Sequence, residues 1–255
     1  MKKLIPALCM LLVAAALLGT STFAWFSMNT MVEANGMSVK AETSANLVIK
    51  NSTGDWTRAA AASHDSMQTL KPASTSRTDG VLSAGKFFYA ENPDTVDYDT
   101  GEAAANTRFA AAPVTANDDN EYVSCNTFTI GVEGEKTFNS LYVSNISVSN
   151  NTQAIAKALR VAVVTANEAL IFAPVTGADL SYRGVAAADV FATALAATPE
   201  TISVVGADAD LGPISNAAEL EVTVYVWFEG QDESCISGNA VDVSELSVSV
   251  QFTAA

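Results

Sequence analysis

The chain has 255 residues, a formal net charge of −15 and a single histidine, His64. An acidic chain is repelled by nucleic acid and by anionic lipid, so neither is expected as a partner. One histidine excludes a zinc site built on a histidine pair, and it also excludes a histidine relay. His64 follows Ala and Ser residues and precedes an Asp, and we expect it to be solvated in a loop.

The first 24 residues have the three parts of a secretory signal peptide. Lys2 and Lys3 form a cationic start, residues 4–18 form an apolar helix-forming run, and Ala24 supplies a small residue before Trp25. The alternative is an uncleaved membrane anchor, but the apolar run is short for a span that needs about 20 residues. We therefore expect a signal peptidase to cut between Ala24 and Trp25. The mature chain is then secreted, extracellular or at the cell surface, and only the signal segment meets the membrane before cleavage.

Residues 25–35, directly after the predicted cut, alternate as a strand does. The side chains of Phe26, Met28, Val32 and Ala34 share one face, and mostly polar side chains share the other. One interpretation is an ordinary first strand in its own sheet. The other is a strand that pairs with a neighbouring subunit, since a chain end is free to leave its own sheet.

Alternation of apolar and polar residues continues through the rest of the chain and predicts an all-β fold. Val, Ile, Phe, Tyr and Thr enrich the alternating runs, and Gly, Asn, Asp and Pro separate them. The predicted strands are 36–41, 45–50, 86–90, 121–132, 140–149, 158–165, 169–173, 219–229 and 246–252. Many strands with little helix favour one antiparallel β-sandwich domain over residues 25–255.

Three stretches do not follow the strand pattern. Residues 52–85 and 91–120 are poor in large apolar side chains and are predicted to be long loops or insertions. Residues 186–197 are the best candidate for a short helix. Residues 155–163 fit a helix or a strand, because their Ala, Lys, Leu and Arg residues are good helix formers.

Two cysteines, Cys125 and Cys235, remain after the signal peptide takes Cys9 away. An even pair in an exported chain predicts a disulfide bridge that closes a long loop. The alternative is two isolated buried thiols.

Acidic residues offer weak candidates for a cation site. Asp97, Asp99 and Glu102 resemble part of a calcium loop, but the full twelve-residue pattern is missing, which favours a flexible acidic turn. Glu229, Asp232 and Glu233 form an acidic loop beside Cys235, where a cation is conceivable. No cofactor is expected, and Ca²⁺ at Asp97, Asp99 and Glu102 is the alternative.

Two motifs together resemble a known family. Residues 20–30 read Thr-Ser-Thr-Phe-Ala-Trp-Phe-Ser-Met-Asn-Thr, with Gly-Met-Ser-Val-Lys at 36–40, and residues 224–235 read Val-Tyr-Val-Trp-Phe-Glu-Gly-Gln-Asp-Glu-Ser-Cys. They resemble the TasA and camelysin family of exported proteins, which a SipW-type signal peptidase cuts. The resemblance implies a jelly-roll sandwich and assembly into biofilm fibres by donor-strand complementation, with residues 25–34 as the donor strand. The peptidase activity ascribed to camelysin is not carried over, since this chain has no zinc motif.

These observations predict a structural protein rather than an enzyme. It is expected to be a subunit of an extracellular surface fibre or biofilm matrix that self-associates by adding its N-terminal strand to a neighbour. The alternatives are a monomeric surface adhesin or glycan-binding module and a camelysin-like secreted peptidase.

Overall fold

The computed structural model describes residues 38–43, 46–52, 54–61, 70–75, 87–90, 109–111, 122–149, 154–176, 180–185, 190, 210–235 and 246–255. These residues form fifteen β-strands and one 3-10 helix, Ala154–Ala158. The strands are β1 (Ser38–Thr43), β2 (Leu47–Asn51), β3 (Ala59–Ala61), β4 (Ser74–Thr75), β5 (Phe87–Ala90), β6 (Phe109–Ala111), β7 (Val123–Val132), β8 (Thr137–Phe138), β9 (Leu141–Val148), β10 (Leu159–Val164), β11 (Ala169–Val175), β12 (Ser181–Gly184), β13 (Ile214–Ser215), β14 (Leu220–Phe228) and β15 (Ser247–Ala254).

Two sheets pack face to face around one apolar core, so the predicted all-β sandwich is confirmed. One sheet has the strand order β3-β1-β15-β9, and the other has the order β12-β11-β10-β14-β7-β2. Their inner faces meet in a large cluster of buried side chains that includes Val143, Phe128 and Phe252. Strand pairs are antiparallel in both sheets except β1 with β15, which run parallel.

The central strand β14 lies between β10 and β7 and is covered on both faces. Val222, Val224, Val226 and Phe228 belong to the core between the two sheets. Tyr225 and Trp227 point the opposite way and belong to a second buried cluster. The outer face of β14 is therefore aromatic at Tyr225 and Trp227, where the second cluster covers it, and polar at Glu221 and Thr223.

The last strand, β15, shows the alternation that its sequence predicts. Val248, Val250 and Phe252 are buried in the core, whereas Ser247, Ser249 and Gln251 on the other face are half-buried. The register against β9 shifts between Gln251 and Phe252, as a β-bulge does.

A small sheet of order β4-β5-β6 covers the outer face of the six-stranded sheet. Phe87 of β5 packs its ring 5.4 Å from that of Tyr225 and 5.1 Å from that of Trp227, between ring centroids. The prediction of long loops at 52–85 and 91–120 is thus wrong in part, since these ranges contribute β3, β4 and β6. Their strands have only two or three residues each, too few for periodicity to show.

The ambiguous stretch 155–163 divides between two elements. The 3-10 helix ends at Ala158, and β10 follows at once with every residue buried. Neighbours on both sides, β11 and β14, decide for a strand against the helix propensity of its residues. Of the predicted helix 186–197, only Val190 lies in the described part of the chain.

Candidate functional site

A buried arginine lies where β10 passes the end of β14. The Arg160 side chain is fully buried, and its guanidinium donates from Nη2 to Asp232 Oδ2 at 2.7 Å. Nε donates to the carbonyl oxygen of Val190 at 2.7 Å, and Nη1 donates to those of Lys157 and Leu159 at 2.8 and 3.1 Å. Each guanidinium nitrogen therefore has an oxygen partner, which a buried cation requires.

Asp232 lies in the tight turn that follows β14. Its Oδ1 accepts from the Ser234 amide at 2.8 Å, and its own carbonyl accepts from the Cys235 amide at 2.8 Å. Both carboxylate oxygens are thus engaged, one by the arginine and one by the turn itself. Short acidic side chains commonly bond the backbone two residues on, so this Asp fixes the turn as well as the ion pair.

Glu229, three residues before Asp232, is also fully buried but has no direct bond to the arginine. Its Oε2 accepts from the indole Nε1 of Trp227 at 3.1 Å, and its Oε1 accepts from the Gln231 amide at 3.1 Å. The Ser74 hydroxyl adds a further hydrogen bond to this carboxyl. Every group that touches Glu229 in this way is neutral.

Burial raises the pKa of the Glu229 carboxyl from its ordinary 4.5 to about 7. Removal from water dominates, while the positive charge of Arg160 and the bonds from Trp227, Ser74 and Gln231 act in the opposite direction. Two carboxyl groups here share one guanidinium, and Asp232 is the one bonded to it. The carboxyl with the raised pKa, Glu229, is the one that has no hydrogen bond to the guanidinium.

The acidic loop around Glu229 joins three parts of the molecule. The Glu229 amide donates to Ala158 O at 2.8 Å on one side. On the other side, Ala73 N donates to Phe228 O at 3.0 Å, and Gly230 N donates to Ala73 O at 2.9 Å. Gln231 Nε2 also donates to Ser74 Oγ at 3.0 Å. Arg160, Glu229 and Asp232, together called the buried motif below, thus lie where hydrogen bonds join the start of the small sheet to the end of β14.

This geometry corrects the expectation that the acidic residues beside Cys235 are solvated. Glu229 and Asp232 are buried, and the positively charged side chain beside them is Arg160; of the three acidic residues, only Glu233 is exposed. In the described ranges there is no group of three or more His, Cys, Asp or Glu side chains arranged to hold a metal. Sequence reasoning overlooked Arg160, although a lone charge inside Leu-Arg-Val-Ala-Val-Val signals a buried partner.

The predicted disulfide bridge is not formed, because Cys125 and Cys235 are both free thiols. Cys125 lies on the outer face of β7, against the cluster that contains Tyr225. Cys235 lies in the core between the two sheets. The two thiols thus belong to different buried clusters, and their spacing along the chain does not reveal this separation.

A second feature is the outer edge of β9. This strand pairs with β15 on one side and ends the four-stranded sheet among the described strands. Facing residues in an antiparallel pair alternate between bonded and non-bonded pairs. Ser149 N donates to Ser247 O at 2.9 Å. The adjacent residue Val148, opposite Val248, therefore directs its N–H and C=O away from β15.

The same alternation turns the backbone groups of Ile146 and Val143 outward. Beyond the bulge, the backbone of Leu141 faces away from β15: its N–H donates to Gly212 O at 2.8 Å, and its carbonyl oxygen accepts from Leu211 N at 2.7 Å. Val143 lies two residues further along the strand, so its backbone groups face the same way. Past this point no described strand covers β9. The outward-facing stretch therefore extends from Val143 to Val148.

Side chains along this edge divide cleanly between core and solvent. Val143, Ile146 and Val148 are buried, while Asn145 and Ser147 are exposed. A strand added here would meet backbone donors and acceptors, an apolar floor on its inner side and solvent on its outer side.

Trp56 is a large apolar side chain with substantial exposure, 39%. Its ring rests on Gly131 of β7, where a Cβ would lie 2.9 Å from Trp56 Cη2. Lys50 Nζ lies 4.2 Å from the centroid of the ring. The close approach explains why a glycine occurs inside a long central strand.

The remaining predicted site residues lie outside the described residues. They are Ala24 and Trp25 at the signal cut, Phe26, Met28, Val32 and Ala34 of the donor segment, the calcium candidates Asp97, Asp99 and Glu102, and His64. In the described part of the chain, no helix has the length and apolarity needed to cross a bilayer.

Comparison of the chain with protein-family models, with curated proteins and with solved structures finds no match.

Proposed function

We propose that this protein is an exported structural subunit that assembles into an extracellular fibre or biofilm matrix by strand addition. The observation that carries the proposal is the outward-facing stretch of β9, Val143 to Val148. It offers backbone hydrogen-bonding groups beside buried apolar side chains. Edges of this kind recruit a strand from another chain when nothing blocks them.

Residues 25–34 match this edge in pattern. Phe26, Met28 and Val32 would lie on the inner side, against the floor formed by Val143 and Ile146. The opposite face of the segment, with Ser27, Asn29 and Glu33, would lie beside Asn145 and Ser147 in solvent. A one-residue slip would expose the apolar set, so the alternation itself would fix the register.

Deletion and complementation test the donor segment. Purified chain 25–255 is expected to form fibres visible by electron microscopy, and chain 35–255 is expected to stay monomeric. A peptide of residues 25–34 should bind the truncated chain at one copy per subunit. A control peptide with Met28→Asp and Val32→Asp should not bind, because charge would face the apolar floor. Unchanged fibres from chain 35–255 would exclude strand addition by this segment.

Crosslinking tests the acceptor edge. Asn29→Cys in one subunit and Asn145→Cys in another are expected to form an intermolecular disulfide within fibres, since both lie on the solvent side of the joined strands. Asn216→Cys, also exposed but on the β13 turn, is the matched control and should not crosslink with Asn29→Cys. Equal crosslinking at both positions would contradict the choice of edge.

A monomeric glycan-binding module is the second candidate, and Trp56 is the observation that favours it. Exposed aromatic rings provide flat apolar contact area with a polar surround, and Lys50 lies next to this one. Two results would favour this function. Chain 25–255 would stay monomeric at high concentration, and the Trp56→Ala substitution would abolish its binding to a glycan array. Chelator-sensitive cleavage of casein by pure protein would instead favour a peptidase.

A further inference from the structure

The Glu229 carboxyl lies at a junction between the sandwich and the small sheet. Ala73 makes two backbone bonds around it, to Phe228 O and from Gly230 N, and Ser74 contacts its side chain. The other described hydrogen-bond donors to the carboxyl, Trp227 and the Gln231 amide, belong to β14 and to the turn that follows it.

The charges around this carboxyl do not balance when it is ionised. Among the described residues, Arg160 from β10 acts on this carboxyl, and Cys235 from the turn after β14 faces Glu229, Asp232 and Arg160 together. Arg160 is bonded to Asp232 and to three carbonyl oxygens. From the small sheet, the described contact is the uncharged Ser74. An ionised Glu229 would be a second negative charge in this buried group, and no cation of the described residues is hydrogen-bonded to it.

In the described part of the chain, the small sheet is built from shorter strands than the two large sheets that form the sandwich. Its strands β4, β5 and β6 have two, four and three residues. The two large sheets are held by long ladders on both sides of their central strands. Regions with few hydrogen bonds open locally before the whole domain unfolds. Opening at Ala73 would let water reach Glu229 without disturbing the Arg160–Asp232 pair.

We propose that Glu229 is a proton-controlled latch: the protonated carboxyl keeps Ala73 and Ser74 docked on the end of β14, and loss of the proton releases them together with the small sheet. This device is independent of the fibre proposal. It requires only the buried motif and the layer that the motif holds in place.

The direction of the pH effect follows from the pKa of Glu229 in the two states. The docked state holds the proton up to a pKa of about 7, and the open, hydrated state has the ordinary 4.5. Between these values the docked state binds one more proton, so opening becomes tenfold easier per pH unit. The opening constant therefore rises by about 300-fold from below pH 4.5 to above pH 7 and then levels off. The latch is tightest in acid.

Amide hydrogen exchange of chain 25–255 tests this directly. The amides of Ala73 and Gly230 report the latch, and that of Val224 in the middle of β14 reports global unfolding. After correction for intrinsic rates, the two latch amides should exchange faster than Val224 and follow the tenfold slope between pH 5 and 7. A flat profile, or latch amides as protected as Val224, overturns the proposal.

Two variants identify the group that titrates. Glu229→Gln should remove the slope at Ala73 and Gly230. Asp232→Asn, an equally buried carboxyl changed in the same way, should lower protection but keep the slope. A slope that persists in Glu229→Gln overturns the assignment. Should that variant fail to fold, carboxyl ¹³C NMR of the unsubstituted protein decides the matter. A Glu229 midpoint near pH 7 supports the latch, and one near 4.5 overturns it.

Discussion

The guanidinium of Arg160 donates to the carboxylate of Asp232 at 2.7 Å, and both side chains are inaccessible to solvent. The two residues are 72 positions apart in the chain. Their contact fixes the turn after β14 against the start of β10. It also leaves Glu229, the other buried carboxyl of the same motif, without a hydrogen-bonded cation.

Removing this arginine should be costly. Arg160→Leu leaves the Asp232 carboxylate buried without its cation and three carbonyl oxygens without their donor. We expect a loss of about 3–5 kcal/mol in the free energy of unfolding, measured by urea denaturation at pH 7. The control is Arg58→Ala. Arg58 pairs with Glu133 at 3.2 Å with both side chains about 60% exposed, and its loss should cost less than about 1 kcal/mol. Similar losses in the two variants would contradict a special role for the buried pair.

The contact of Trp56 with Gly131 predicts a conditional effect. Gly131→Ala would place a Cβ 2.9 Å from Trp56 Cη2 and should destabilise the protein by about 1–3 kcal/mol, because the ring must move. In a Trp56→Ala background the same change should be neutral or stabilising, since alanine restricts the unfolded chain more than glycine. A double-mutant cycle by thermal or urea unfolding measures this coupling. Additive effects would show that the ring does not constrain position 131.

The two thiols should behave as free but protected groups. Burial raises the pKa of Cys125 from 9.0 to about 11 and that of Cys235 well above 9.0. At pH 8 the thiolate fraction of Cys125 therefore falls by about 100-fold, and alkylation by iodoacetamide should slow at least as much in the folded protein.

Mass spectrometry of chain 25–255 checks both parts of this expectation. Unfolding in urea without reductant should expose two thiols that alkylate completely. A native mass lower by two hydrogens, with no alkylation until a reductant is added, would show that the bridge forms after all.

The alternation of β15 predicts unequal costs on its two faces. Phe252 is buried in the core, and Thr253 beside it is half-buried on the opposite face. Phe252→Ala should cost about 3–5 kcal/mol, because it removes a large side chain and leaves a cavity. Thr253→Ala should stay within about 0.5 kcal/mol. Denaturant midpoints at equal m-values provide the comparison, and equal costs would place β15 in a different register.

Strand positions were predictable wherever one face of a strand is buried over five or more residues. The predicted ranges 121–132, 140–149 and 219–229 correspond to β7, β9 and β14 as observed. Two strands of the small sheet, β4 and β6, were missed, because two or three residues carry no period, whereas β5 matches the predicted strand 86–90. The predicted strand 158–165 corresponds to β10, but only the neighbouring strands on both sides exclude the competing helix at 155–163.

The sequence analysis identified only part of the buried motif. Glu229, Asp232 and Cys235 were noted as a group, but their composition indicates a solvated acidic loop. Their burial depends on Arg160, which the chain supplies from a different strand. A cysteine pair likewise suggests a bridge, whereas only the packing assigns Cys125 and Cys235 to different buried clusters.

Sequence by itself determined the fold class, because the two-residue period of a strand is local and is written in consecutive residues. The sequence also predicts an export signal and a strand-like segment after it, and both are predictions for experiment. Tertiary structure alone decided which strands end the sheets, which acidic side chains lose water and which cation meets them. These properties depend on contacts between residues far apart in the chain, such as Arg160 with Asp232, and no local pattern encodes such contacts.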